Sequence, residues 1–224
     1  MKFISNININ SILCAFTFQK PVQYVPKRHI RNHIFDIYNF KENQSNYTME
    51  HIIPQSCYKN DTLICRDLHN IFPFPSKINS HRSNYEYIAS PVIYPESKIL
   101  DENGKIISFE EKNENSFHVK NSAKRVFYPK DCYKGEISRA AMYFCCTYPE
   151  YTEKIFQNVI CPYTIIYWHY EYKPSDFEKY KSKQIEKLQG NYNIFVECPE
   201  MLLEKMEILL KKKFKSNQYG QYKE

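Results

Sequence analysis

Glu50 and His51 stand side by side in Glu50-His51-Ile52-Ile53-Pro54-Gln55-Ser56. Further on come Asp67-Leu68-His69-Asn70-Ile71-Phe72-Pro73 and Ile78-Asn79-Ser80-His81-Arg82-Ser83-Asn84. These residue types suit hydrolysis of a phosphodiester. Imidazole is the side chain whose pKa lets it take a proton from water near neutral pH, so His51 is the expected general base. Glu50 offers a hard anionic oxygen and Asn79 a neutral amide oxygen. Two protein ligands with water in the other positions is normal for Mg²⁺, and Mn²⁺ or Ca²⁺ are the expected substitutes. Arg66, Arg82 and Arg139 are the expected phosphate contacts, because a guanidinium pairs with phosphate oxygens bidentately. Asp67, His69 and Asn70 are expected behind the site, with Asn70 or a backbone carbonyl orienting His51 and His69 more structural than catalytic. Each residue has a plainer reading too: a satisfied core histidine, a surface salt bridge for Glu50, an exposed Asn79, and an Arg82–Glu86 pair at i, i+4. Cys57, Cys65 and His69 are the only soft ligands close in sequence, and no Cys-x-x-Cys pair accompanies them, so structural zinc is disfavoured.

Two strands and a helix must hold these groups. Tyr47 to Ile53 is β-branched and aromatic, with Pro54 to stop it. Cys57 to Cys65 reads as a loop, and Asp67 to Phe72 as a second short strand ended by Pro73 and Pro75. Ser76 is placed to cap a helix through about Tyr87, on which Asn79, Arg82 and Ser83 share one face. The order over 47–87 is therefore ββα. Neighbours on a regular strand point to opposite faces, so Glu50 and His51 reach one site only if the strand ends or distorts there.

Elsewhere, Lys27, Arg28, His29, Arg31 and His33 precede Ile34, Phe35, Ile37 and Tyr38, a short basic helix leading into the core. Asp101-Glu102-Asn103-Gly104 marks a hairpin. The remainder reads as helical: Ile137, Ala140, Ala141, Phe144 and Cys145 recur at helix spacing, Asp176 to Leu188 follows, and Pro199 to Phe214 carries Leu202, Met206, Leu209 and Leu210 on one stripe. The expected organisation is an N-terminal basic helical segment (1–46), a central domain (47–200) and a C-terminal helix with a lysine-rich tail (201–224).

A chain of 224 residues with 42% hydrophobic content is enough for one well-buried domain. The net charge of +6 favours a polyanionic partner only weakly. The 20 Tyr and 15 Phe scattered among lysines suit base stacking and phosphate contact, although AT-rich codon usage yields the same mixture. No stretch approaches the ~20 apolar residues of a membrane span. The eight cysteines show no repeated spacing, and the apolar run at 12–16 is too short for a convincing signal peptide. These features favour free thiols and an intracellular compartment over a secreted one.

The three motifs together resemble those of the endonuclease I family of His-Me finger (ββα-metal) nucleases. Glu50, His51 and Pro54 match its Glu-His-x-x-Pro. Asp67 to Pro73 is similar to Asp-Leu-His-Asn-Leu-x-Pro, with Ile71 for Leu, and Ile78, Asn79, Arg82, Ser83 and Asn84 are similar to Val-Asn-x-x-Arg-Ser-Asn. Lys134-Gly135-Glu136-Ile137-Ser138-Arg139-Ala140 and Gln189-Gly190-Asn191-Tyr192-Asn193-Ile194-Phe195-Val196 resemble two later family motifs, with Ser138 for Ala and Ile194 for Pro. The resemblance implies an α+β fold, a ββα-metal core embedded in a mainly helical single domain. It implies His51 as general base and Glu50 and Asn79 as Mg²⁺ ligands. It further implies cleavage of DNA, often also RNA, with little sequence preference, to 5′-phosphate and 3′-hydroxyl ends. The family includes secreted and periplasmic enzymes. A monomer acting on nucleic acid and not on membranes is the expected form, and its main rival is a non-catalytic nucleic-acid-binding protein that keeps the fold.

Overall fold

In a computed structural model of the chain, residues 25–39, 46–59, 61–89, 97–108, 110–112, 116–121 and 125–219 are described. The apolar run at 12–16 and Cys14 lie outside them. The basic segment forms α1 (Lys27–Ile37), and its Ile30, Ile34 and Ile37 bury against Leu68, Ile71 and Ile185. The spacing of these isoleucines, i, i+4 and i+7, puts them on one helix face.

Strands β1 (Tyr47–His51) and β2 (Ile71–Pro75) pair antiparallel from Tyr47–Pro75 to His51–Ile71, and α2 (Ser76–Arg82) follows at once. Three details depart from expectation. β2 runs through both prolines, which a two-stranded ribbon tolerates because each strand has an unpaired edge that needs no N–H. Ser76 makes no side-chain cap, since Pro75 occupies the capping position. And α2 stops at Arg82, because Ser83 takes φ +53° and turns the chain towards β3 (Glu86–Tyr87). Asn79 and Arg82 thus sit in a single short helix lying on β1.

β4 (Lys98–Leu100) and β5 (Ile106–Ile107) form the predicted hairpin, turned by Asp101 and by Gly104 at φ +75°. The Asp101 carboxylate accepts from the amides of Asn103 (2.9 Å) and Lys105 (2.8 Å). The all-helical expectation beyond this hairpin fails for two strands, β6 (Phe117–Asn121) and β7 (Arg125–Tyr128). They complete a five-stranded sheet of order β3-β7-β6-β4-β5 in which only β3–β7 is parallel. Phe117, Val119 and Phe127 turn inward from it, and Phe117 and Phe127 meet Phe74 of β2.

Helices follow: α3 (Asp131–Thr147), α4 (Thr152–Asn158), α5 (Pro162–Glu171), α6 (Asp176–Gln189), α7 (Ile194–Glu197) and α8 (Met201–Tyr219). The mixed α+β class is as expected. The α3 residues that recur at helix spacing are all buried, and α3 is the central rod of the core. At Gly135 any Cβ would collide with the Tyr172 carbonyl at the end of α5, so glycine is what lets the two helices approach.

A buried polar clasp joins the second motif to the last one. The Asp67 carboxylate, fully buried, accepts from Tyr143 and Tyr148 hydroxyls (both 2.9 Å), from the Gln189 amide (2.9 Å) and from the His69 backbone (3.0 Å). Gln189 also accepts from the Leu68 amide (2.8 Å), while Asn191 donates to Tyr143 (2.6 Å). Gly190, at φ +85°, closes α6 between them in the left-handed conformation that glycine adopts without cost.

Candidate active site

Strand alternation sorts the site into two sides. The even residues of β1 turn to α2: the Asn79 amide donates to the Thr48 hydroxyl (2.9 Å), and Glu50, only 6% exposed, meets Arg82 at 2.6 Å. The odd residues turn the other way. Met49 and His51 line a cleft of about 460 Å³ with Arg66, Cys65 and residues of α1. β1 ends at His51, as the sequence required, while Glu50 keeps to the α2 side of the strand and His51 to the cleft side.

His51 Nε2 lies 3.0 Å from the Cys65 carbonyl, which accepts only if that nitrogen carries the proton. Nδ1 is then the basic nitrogen, with the Gln55 amide 3.3 Å away. Burial lowers the His51 pKa from its ordinary value, outweighing the Cys65 bond, so the ring is held in the neutral form a base requires. The orienting group is therefore a backbone carbonyl, one of the two alternatives expected. Asn70 is not the ring's partner. Its side chain accepts from the Ile53 amide (2.8 Å) and donates to the Ile53 carbonyl (3.2 Å), while its own carbonyl accepts from Ile52 (3.0 Å). Asn70 thereby fixes the chain directly after His51.

The arginines are not alike. Arg82 is 1% exposed and ties strand to helix: besides Glu50 it donates to the carbonyls of Ile52 (2.8 Å) and Ser83 (2.9 Å) and stacks on Tyr87, 4.5 Å from its centroid. Its partner is Glu50 and not Glu86, and a phosphate contact is excluded by burial. Arg139 is likewise a correction. It lies inside the helical layer, 1% exposed, bidentate to Glu178 (2.6 and 2.5 Å) and donating to the Tyr172 carbonyl (2.8 Å). Only Arg66 of the three lines the cleft. Asp67 and His69 belong to the clasp. His69 contacts the Asn191 carbonyl (3.3 Å) and the Tyr143 ring, and burial drives its pKa down to about 4, so it is a structural histidine.

Among the described residues no three His, Cys, Asp or Glu side chains gather into a metal cluster. A Mg²⁺ site of two protein ligands and water needs no such cluster. Glu50 Oε1 is buried against the Arg82 guanidinium, 2.6 Å away. Burial raises Glu50 to about 7 although Arg82 and a hydrogen bond from Asn79 both favour its charged form. A hard cation would favour the charged form of this buried carboxylate, and the Asn79 amide stands beside it. The sequence assigns no site role to Gln55, Thr48, Lys27 or Arg31, although Gln55 lies inside the first motif and Lys27 and Arg31 in the basic helix.

The Endonuclease I family profile matches residues 7–200, and the chain belongs to that family. It is similar to an extracellular deoxyribonuclease of Aeromonas hydrophila, 27% identical over 138 residues. It is also similar to a periplasmic deoxyribonuclease of the same organism, 28% identical over 138 residues. Each match covers 58% of the chain, and the chain spans about half the length of these relatives (49% and 47%). Their names overturn the expectation of an intracellular protein. The seven described cysteines form no disulfide, and among the described residues no helix is long and apolar enough to cross a membrane.

Proposed function

We propose that this chain is a Mg²⁺-dependent, largely sequence-non-specific endonuclease that hydrolyses DNA, and RNA as a second substrate, leaving 5′-phosphate and 3′-hydroxyl ends. The relatives named deoxyribonucleases favour DNA. The observation that carries the reading is the strand end where a neutral His51, held through Nε2 by the Cys65 carbonyl, adjoins a buried Glu50 across from Asn79 on α2. This ββα segment would act as a ββα-metal (His-Me finger) core. His51 Nδ1 takes a proton from the attacking water, and the Cys65 carbonyl steadies the imidazolium that results. Glu50 and Asn79 would hold the ion, which supplies positive charge against the phosphate and the leaving 3′ oxygen. Arg82 keeps the Glu50 carboxylate aimed, and Arg66 lies within the cleft to meet phosphate.

The test is nicking of supercoiled plasmid, and cleavage of RNA, over a panel of divalent ions with and without EDTA. Cleavage abolished by EDTA and restored by Mg²⁺ is expected. Binding without cleavage under every ion would replace the enzyme with a non-catalytic nucleic-acid-binding protein.

A further inference from the structure

The cleft that His51 faces has a second wall, and α1 makes it. Ile30, Ile34 and Ile37 lock that helix onto Leu68, Ile71 and Ile185. Beside this apolar stripe, Lys27 and Arg31 fall at i, i+4 and both line the cleft, facing Arg66 from the segment before β2. Arg31 is held in place by a bond to the Tyr47 carbonyl (3.2 Å) and by the Phe35 ring, 4.6 Å away. Burial and the Asp61 carboxylate raise the pKa of the Cys65 thiol against a Tyr58 hydrogen bond and the charges of Lys27 and Arg66, so both basic walls reach the residue whose carbonyl holds His51. No Asp or Glu is among the described lining residues. A cleft charged with one sign concentrates ligands of the other.

We infer that α1 is a phosphate grip: Lys27 and Arg31 bind the phosphodiester backbone of the polynucleotide on the side of the scissile phosphate opposite Arg66. This rests on the nuclease reading above. The two cations stand one helical turn apart, a rise of about 6 Å, which is the scale of successive backbone phosphates. Cations on a rigid helix read charge and spacing, not base edges, so the grip serves cleavage at many sequences.

The experiment measures binding of a 20-base-pair duplex against salt concentration by fluorescence anisotropy, in EDTA and in the His51→Ala background. Losing two phosphate contacts lowers the slope of log affinity against log salt by about 1.8. For Lys27→Gln/Arg31→Gln, the affinity drop between 50 and 200 mM salt therefore shrinks by about 12-fold relative to the parent. Lys183→Gln/Lys187→Gln, the same charge change on exposed positions of α6, serves as control, and Lys27→Gln/Arg31→Lys, which keeps one of the two charges, should return about half of the slope lost by the double variant. Circular dichroism checks that each variant is folded. A slope unchanged in the α1 double variant, or changed equally in the control, overturns the grip and leaves the nuclease reading standing. A folded His51→Ala protein that binds no duplex even at low salt overturns both.

Discussion

Replacing Glu50 with Gln should make the metal-free protein progressively more stable than wild type as pH rises. Glu50 is 6% exposed, and burial lifts its pKa from 4.5 to about 7 in the fold. Below pH 4.5 the carboxyl is protonated in both folded and unfolded states, so it adds no pH dependence. Between pH 4.5 and 7 the folded state binds the extra proton, and stability falls as pH rises. A shift of about 2.5 units at 1.36 kcal/mol each is roughly 3 kcal/mol, all of it lost above pH 7. Other groups titrate over this range, but they cancel in the difference between wild type and Glu50→Gln. The cost of leaving Arg82 without its anion is an offset between the two proteins, and it drops out of the change of that difference with pH. The assay is urea unfolding of both proteins in EDTA from pH 4 to 8. The difference should be level near pH 4, grow by roughly 3 kcal/mol in favour of Glu50→Gln by pH 8, and shrink for wild type when Mg²⁺ is added. A difference independent of pH, or one growing in favour of wild type, would refute the reasoning. It would mean that Glu50 ionises in the fold at an ordinary or depressed pKa.

Glu50→Ala and Asn79→Ala should each raise the Mg²⁺ concentration needed for half-maximal cleavage, Glu50→Ala more because it removes the charge; wild-type titrations for both variants would remove them as ligands. Asn70→Ala should cost roughly 1–3 kcal/mol for each Ile53 backbone group left unpaired. It should also lower turnover more than duplex affinity, measured by unfolding and by single-turnover cleavage, because the chain after His51 loosens. Arg139→Met should destabilise by about 3–5 kcal/mol, since Glu178 is left as an uncompensated buried charge. The salt dependence of duplex binding by the folded fraction should stay unchanged, and a reduced slope would restore Arg139 to the phosphate contacts.

The ribbon and the helix that carry the site were legible because their signals are local. Tyr47 to Ile53 is β-branched and aromatic, Pro54 bounds it, and Asn79 and Arg82 fall one turn apart. The Gly104 hairpin and the buried face of α3 were readable for the same reason. What escaped was non-local. β6 and β7 are short strands whose pairing depends on chain far away, and β3–β7 joins residues on either side of the hairpin. The end of α2 turns on one positive φ at Ser83, a residue type that gives little warning of it. An arginine's number of charges is the same at a surface and in a core, so sequence could not separate Arg66 from Arg82 and Arg139; only the Glu50 and Glu178 carboxylates facing them did. His51's holder is a carbonyl, and any residue at position 65 would supply one.

The central claim is that His51 takes the proton from water at a site where Glu50 and Asn79 hold Mg²⁺. Single-turnover nicking of supercoiled plasmid by wild type and by folded His51→Ala, at saturating protein and Mg²⁺, tests it most directly. The account predicts a rate about 10²–10⁴-fold lower for the variant with its plasmid affinity retained; cleavage by His51→Ala at close to the wild-type rate would contradict it.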